Sequence, residues 1–320
     1  YDFDEWARLL AGAAGAEVRW RPGGGTYTDD RLADIVSKAH DIGRQTALLP
    51  GHVQRIQSEI ESFPYQRLKK AVRSTALEAA AYIAAGCTGA AYNVLTQYDE
   101  PLDEFVPLVQ GLASARPFLD LLAANLGRTP ALGIHSGWVK DSFAAANPEG
   151  DWLAAGPGAP GHCTEIWSTG LPAAYTAQGA CVTALAGDQV LALDDEQIGA
   201  ILAGGVYLDG PALTRLNQRG WGELTGFEVE AVAHEDCIEE FGDHPLNGAL
   251  AGRRRNGRQS FWKCPASLLR ATAPESSGLS RCVDYTYRPV HPICMGLFAN
   301  RAGGRVCVAG YYPWEQLQTG

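Results

Sequence analysis

Residues 53–61 read VQRIQSEIE and are followed by SFPYQ, an aromatic-proline turn. The alternation of polar and apolar residues predicts a β-strand with Gln57, Glu59 and Glu61 on one face. Two carboxylates on one strand face are costly to bury unless they bind a ligand or take part in a reaction. The spacing equally allows an exposed acidic loop before Pro64, so both interpretations stay open at this point.

Helices and strands alternate on both sides of this strand. Residue patterns predict strands over 16–20 and 88–95 and helices over 3–14, 31–43, 68–85 and 102–126. Three successive βα units predict a parallel sheet, either an open doubly wound sheet or a (β/α) barrel. Because a whole barrel takes about 250 residues, residues 1–140 would hold only about its last three units. The sequence starts at Tyr1 on a helix pattern and stops just after a strand pattern, so we expect truncation at both ends.

The composition changes twice in the remaining sequence. Residues 145–170 are rich in Gly, Ala, Pro and Asn, as in a linker. Later patterns predict strands over 190–193, 206–208, 281–288 and 305–312 and helices over 195–202 and 211–218. We therefore predict an α/β fold with domains at 1–140, 141–230 and 231–320, the last of them β-rich.

Charge and hydropathy exclude several classes of partner. The formal net charge of −10 argues against nucleic acid, whose phosphates are bound by clustered Lys and Arg. The basic run 253–258 predicts a solvated loop, and the acidic stretch 234–244 predicts a polar surface loop in preference to a metal site. The apolar residues 76–95 are interrupted by Glu78 and Gly86, which favours a buried helix and a short strand over a membrane span.

The eight cysteines lack the short spacing of a structural zinc site. In a chain of 320 residues they are typical of reduced, buried side chains. We therefore expect a cytoplasmic protein with no metal and no cofactor.

Polar and aromatic residues occur where the predicted strands of the N-terminal part end. Arg21 follows the strand at 16–20, Tyr65 follows the central strand, and Tyr92 and Asn93 lie near the end of the next one. Aromatic rings stack on sugar faces, and polar groups bind the hydroxyls, so these residues around a carboxylate pair suit a carbohydrate. Taken alone, Tyr92 is equally compatible with an ordinary core aromatic.

These residues resemble a known group of enzymes. The order of elements resembles the last barrel units of clan A glycoside hydrolases: a strand ending in Glu, an aromatic-proline turn, an Ala-rich helix, a strand ending in Asn and a long helix. Within that clan, the chain is similar to the family 42 β-galactosidases and to related trimeric β-galactosidase and β-mannosidase families. The resemblance implies the C-terminal part of a (β/α)8 TIM barrel, then a small amidotransferase-like α/β trimerisation domain and a β-rich domain.

The resemblance also implies a function and its residues. Glu59 corresponds to the nucleophile of a retaining exo-β-glycosidase, with Glu61 as the fallback, and Arg21, Tyr65, Tyr92 and Asn93 would bind the terminal sugar. Clan A takes its acid/base Glu from the fourth strand, which we expect to lie outside this sequence, leaving the fragment inactive. Family 42 carries a Trp-Arg pair and a Glu-x-x-His motif near its eighth strand, and neither is found here. The resemblance therefore does not imply specificity for galactose. A homotrimer or another homo-oligomer is expected.

Two alternatives remain. The chain could be a non-catalytic carbohydrate-binding or assembly protein that retains the barrel segment. It could also be an amidotransferase-like enzyme, although Cys163 and Cys181 lack the Gly-flanked turn that presents such a nucleophile.

Overall fold

The strand that carries Glu59 and Glu61 is the central strand of a three-stranded parallel sheet. The computed structural model describes residues 2–127, 129–142, 145, 161–234, 236–258 and 265–311. The sheet consists of β1 (Arg19–Trp20), β2 (Arg55–Glu61) and β3 (Gly89–Asn93). It belongs to unit 1, which contains the described residues up to Leu132 and residues 172–179, whereas unit 2 contains the remaining ones.

Helices cover one face of this sheet. The α-helices of unit 1 are α1 (Phe3–Ala11), α2 (Asp34–Leu48), α3 (Val72–Ala84) and α4 (Val106–Leu126). Single 3-10 turns form at Asp29–Arg31, Leu102–Phe105 and Ala177–Gly179, and β5 spans Ala173–Ala174. Ile56 and Ile60 of β2 are fully buried in one cluster with Ile42 of α2 and Tyr82 of α3. Burial of these apolar side chains is the main stabilising term of the unit.

The alternation predicted for β2 is confirmed. Ile56, Ser58 and Ile60 are buried, whereas Gln57 and the two glutamates on the other face are only partly buried. The apolar stretch 76–95 forms the C-terminal part of α3 followed by β3, as predicted, and Gly86 (φ 107°) ends the helical turn. Within the described ranges, no helix is long and apolar enough to cross a membrane.

Unit 2 is built on a large mixed sheet. Its parallel strands are β4 (Gly133–His135), β6 (Ala180–Leu185), β7 (Gly205–Asp209) and β14 (Arg305–Ala309). The antiparallel strands β13 (Pro289–Ala299), β12 (Ser277–Val283), β9 (Cys237–Phe241) and β10 (Arg254–Arg258) extend the sheet beyond β14 in that order. A separate antiparallel pair contains β8 (Phe227–Ala233) and β11 (Ala266–Ala271). The mixed α/β class is thus confirmed, and the division into three domains stays a prediction.

Two helices of unit 2 begin at aspartate caps. The α-helices of this unit are α5 (Gly161–Ser168), α6 (Asp195–Leu202), α7 (Gly210–Gln218) and α8 (Gly222–Thr225), with 3-10 turns at Gly187–Ala192 and Pro245–Leu250. The Asp194 carboxylate accepts from Gln197 N at 2.8 Å, and the Asp209 carboxylate accepts from Ala212 N at 2.7 Å. Each carboxylate satisfies an amide that the first helical turn leaves free, so local chemistry decides where α6 and α7 start.

Three local predictions in unit 2 are wrong. The strand predicted at 190–193 is replaced by a 3-10 turn, because Arg219 Nη1 donates to the carbonyls of Val190 (2.9 Å) and Leu193 (2.7 Å). Within the basic run 253–258, residues 254–258 form β10 instead of a solvated loop, and within the acidic stretch 234–244, residues 237–241 form β9 instead of a surface loop. Most of the linker predicted at 145–170 lies outside the described residues.

Pairing of opposite charges explains why these two polar stretches become strands. β9 and β10 run antiparallel, with Arg255 opposite Glu239 and Arg254 opposite Glu240. Arg255 Nε lies 2.6 Å from Glu239 Oε2, and the Glu239 side chain has no exposed surface. Glu239 and Glu240 would not be buried alone, because an isolated buried charge is unstable, but the arginines of β10 neutralise them across the sheet.

Candidate functional site

Glu59 and Glu61 lie side by side on the face of β2 that the helices leave uncovered. Both side chains are partly buried, and 28% of the Glu59 side chain is exposed. Residues two apart on a strand point to the same face. The two carboxylates therefore share one accessible surface at the carboxyl end of the central strand.

An arginine pairs with the first of these carboxylates. Arg21 Nη2 lies 2.7 Å from Glu59 Oε1. The parallel pairing of β1 with β2 continues as a bridge between Gly23 and Glu59, and Glu59 N donates to Pro22 O at 2.9 Å, so the residues after β1 run beside Glu59. An ion pair this exposed contributes only about 0–1 kcal/mol to stability. The ion pair instead orients the Glu59 carboxylate and places the Arg21 guanidinium at the open face.

A tyrosine and an asparagine bind the second carboxylate. Glu61 Oε1 accepts from Tyr65 Oη at 3.1 Å and from Asn93 Nδ2 at 3.0 Å, and Asn93 Nδ2 lies 3.2 Å from Tyr65 Oη. Asn93 stands directly opposite Glu61 in the register of β2 and β3. Partial desolvation and the neighbouring Glu61 raise the pKa of Tyr65, so its hydroxyl keeps the proton that it donates. Three of the predicted site residues thus converge on one hydrogen-bonded group.

The structure does not bring Tyr92 to this group. Tyr92 stands opposite Ile60 in the register, and paired residues of parallel strands share a face, so Tyr92 lies on the side of the sheet that faces the helices. Tyr92 is still 39% exposed, and partial desolvation, followed by the charge of Glu78 in α3, raises its pKa. Trp20 is likewise directed to the helices, since its indole nitrogen donates to Gln45 Oε1 at 3.1 Å.

Exposed aromatic rings extend beside Tyr65. The Phe63 ring makes edge contacts with Tyr65 (5.7 Å between centroids) and with Tyr27 (6.0 Å), and 56% of Phe63 is exposed. Sequence reasoning assigned no role to Phe63 or Tyr27. The aromatic-proline turn after β2 includes Phe63 and could have indicated it. Tyr27 is 36 positions away from Phe63 in the sequence, so only the fold brings the two rings into contact.

A buried ion pair lies beneath the site. Lys70 Nζ bonds to the Glu78 carboxylate, and neither side chain has exposed surface. Lys70 Nζ also donates to Glu61 O at 3.0 Å and to Thr26 O. Glu78 Oε1 accepts from Tyr82 Oη at 3.0 Å; burial raises the pKa of Glu78, and the Lys70 charge opposes that rise. In the sequence, Glu78 stood out only as a charge within an apolar helix.

A glycine allows the chain to pass between β2 and this ion pair. A Cβ atom on Gly24 would lie 2.0 Å from Glu59 O and 3.1 Å from Glu78 Oε1. By contrast, a Cβ atom on Gly23 would have no atom within 4 Å. Of the three consecutive glycines, the middle one is therefore required by a close approach to the backbone of β2.

No protein-family model and no curated protein matches this sequence. Functional inference therefore depends on the geometry of the site. Among the described residues, no cluster of three or more His, Cys, Asp or Glu side chains could hold a metal ion. What the site presents is a pair of carboxylates, one beside a guanidinium and the other bound by a phenol and an amide, with exposed aromatic rings at its edge. Such a surface can bind hydroxyl groups and present a carboxylate as a nucleophile.

Proposed function

We propose that this chain contributes the nucleophile and part of the sugar site of a retaining exo-β-glycosidase. The observation that supports this most directly is the convergence of Tyr65 and Asn93 on Glu61, with Glu59 and Arg21 beside it on the same open face. Carbohydrate sites combine hydroxyl-binding polar groups with aromatic rings in this way.

Glu59 is the proposed nucleophile, with Glu61 as the fallback. In double displacement, a carboxylate attacks the anomeric carbon as a second carboxyl group protonates the leaving oxygen, and water then hydrolyses the glycosyl-enzyme ester. The guanidinium of Arg21 orients Glu59 through their ion pair. Glu61, Tyr65 and Asn93 position the sugar hydroxyls, whereas Tyr92 lies on the other side of the sheet.

The finer architecture belongs to the same proposal. The parallel strands of unit 1, each followed by a helix, fit the last units of a (β/α)8 barrel, with the active site at the carboxyl ends of the strands. The mixed sheet of unit 2 fits an amidotransferase-like α/β domain followed by β-rich structure. A cytoplasmic homotrimer acting on a terminal β-linked sugar, with the acid/base on another barrel strand, completes the proposal.

The proposal is tested by substitution of the carboxylates in the natural full-length protein. We expect Glu59→Gln to reduce hydrolysis of aryl β-glycosides to background, and azide to rescue Glu59→Ala with inversion of the product. Glu17→Gln is the matched control, because Glu17 is an exposed glutamate that also pairs with an arginine, Arg19. A 2-deoxy-2-fluoro glycoside should label Glu59 itself, located by fragmentation of the labelled peptide, which also contains Glu61.

The outcomes separate the alternatives. Undiminished turnover of Glu59→Gln refutes Glu59 as nucleophile, and a label on Glu61 with loss of activity in Glu61→Gln transfers the role to the fallback. Binding of a sugar without turnover by the wild-type protein supports a non-catalytic carbohydrate-binding protein, which the exposed Phe63 ring also fits.

A further inference from the structure

The ammonium group of Lys70 joins three separate segments of unit 1. It donates to Thr26 O in the loop after β1, to Glu61 O at the end of β2, and to the Glu78 carboxylate in α3. A lysine ammonium has three donors, so the partners account for all of them. The Lys70 side chain is entirely buried, and it therefore holds one fixed position.

Stability alone does not explain this arrangement. Two charges lose their hydration when they are buried, and a well-packed apolar pair of similar volume is often as stable or more stable. An apolar pair could not, however, bind the carbonyls of Thr26 and Glu61. The feature that only lysine supplies here is the connection of these two carbonyls to α3.

Both carbonyls belong to segments that carry the candidate site. Glu61 is the residue whose side chain accepts from Tyr65 and Asn93, and the loop leading to Thr26 passes Glu59 O so closely that Gly24 admits no Cβ atom. That loop follows Arg21, the partner of Glu59. A shift of the Lys70 ammonium would thus release both segments that bear the two carboxylates and the arginine.

We propose that Lys70, neutralised by Glu78, is a positioning residue that sets the relative placement of Glu59, Glu61 and Arg21. The expected loss of kcat rests on the proposed glycosidase function, whereas the expected displacement of the two segments does not. Lys70 does not contact the open face; it acts through the backbone of Glu61 and the loop at Thr26.

The test compares Lys70→Met with the double variant Lys70→Met/Glu78→Gln in the full-length protein. The single variant leaves Glu78 buried without its cation and should lose stability. The double variant removes both charges but keeps an acceptor for Tyr82, so it should recover most of the stability toward urea. Lys69→Met is the matched control, because Lys69 is the adjacent, exposed lysine.

Two readouts separate positioning from stabilisation. We expect amide hydrogen exchange in residues 59–66 to be about tenfold faster in both variants, because the tie to Glu61 O is absent in each. We expect kcat on aryl β-glycosides to fall by about 10²-fold in both, with a smaller change in KM, since misplaced catalytic groups lower the rate of the chemical step. Wild-type exchange and kcat in a stable double variant overturn the proposal, because Lys70 would then serve only to neutralise Glu78.

Two further outcomes remain informative. If the double variant does not fold, Lys70→Arg decides, because it keeps the charge but moves the donors: faster exchange in residues 59–66 supports positioning, and wild-type exchange refutes it. If the wild-type protein hydrolyses no glycoside, the proposed function fails, and hydrogen exchange alone decides the role of Lys70.

Discussion

His135 should make the stability of unit 2 depend on pH. It ends β4, is 4% exposed, and its Nδ1 accepts a hydrogen bond from Gly137 N at 3.3 Å. Burial lowers the pKa of His135 from 6.5 to about 4. Between these values the unfolded chain binds a proton that the folded chain does not, so the free energy of unfolding falls as the pH falls through this window.

The size of the effect follows from the two pKa values. The full difference corresponds to about 3 kcal/mol, of which about 2 kcal/mol should be lost between about pH 7 and about pH 5. His135→Asn keeps an acceptor near the position of Nδ1 but cannot be protonated. Urea unfolding at the two pH values should show a loss smaller by about 2 kcal/mol in this variant than in the wild type.

An exposed histidine provides the control for this measurement. His52→Asn makes the same substitution at a histidine that is exposed on the surface of unit 1. The carboxyl groups that also titrate in acid are common to all three proteins and cancel in the comparison. An equal loss of stability on acidification in the wild type and in His135→Asn would refute the reasoning.

Two further substitutions test the packing described above. Gly24→Ala should lower the free energy of unfolding by about 1–3 kcal/mol, because its Cβ atom would lie 2.0 Å from a backbone oxygen of β2. Gly23→Ala, which has open space at its Cβ, should change that free energy by less than about 0.5 kcal/mol. Equal effects of the two substitutions in urea denaturation would contradict the geometry. Arg255→Met should cost about 3–5 kcal/mol in the same assay, since it leaves the fully buried Glu239 without its cation. Arg254→Met should cost less than about 1 kcal/mol, because its partner Glu240 keeps Arg281 as a second cation.

Local patterns were sufficient for the central strand and for several helix ends. The side chains of a strand alternate whatever surrounds it, so the common face of Glu59 and Glu61 could be read from residues 53–61. The start of α7 was equally local, because Asp209 caps the helix and Pro211 fits its first turn. These features depend only on neighbours within a few positions.

Pairs of distant residues decided what local patterns left undetermined. The segment 190–193 has the composition of a strand, but its carbonyls are bound by Arg219, which no local window contains. The basic run at 253–258 and the acidic run at 234–244 each suggested a solvated loop when read alone. Only their alignment in one sheet neutralises their charges and allows Glu239 and Glu240 to be buried.

For the site, the sequence by itself determined that Glu59 and Glu61 share one face if residues 53–61 form a strand, with Tyr65 just after it and Arg21 and Asn93 at the ends of its neighbours. Only the tertiary structure decided that Tyr65 and Asn93 both bind Glu61, that Tyr92 lies on the other side of the sheet, and that Lys70 supports the strand from beneath. The physical reason is the range of the interactions. Strand alternation is a property of consecutive residues, whereas a hydrogen bond or a buried ion pair requires two groups that meet only when the chain has folded.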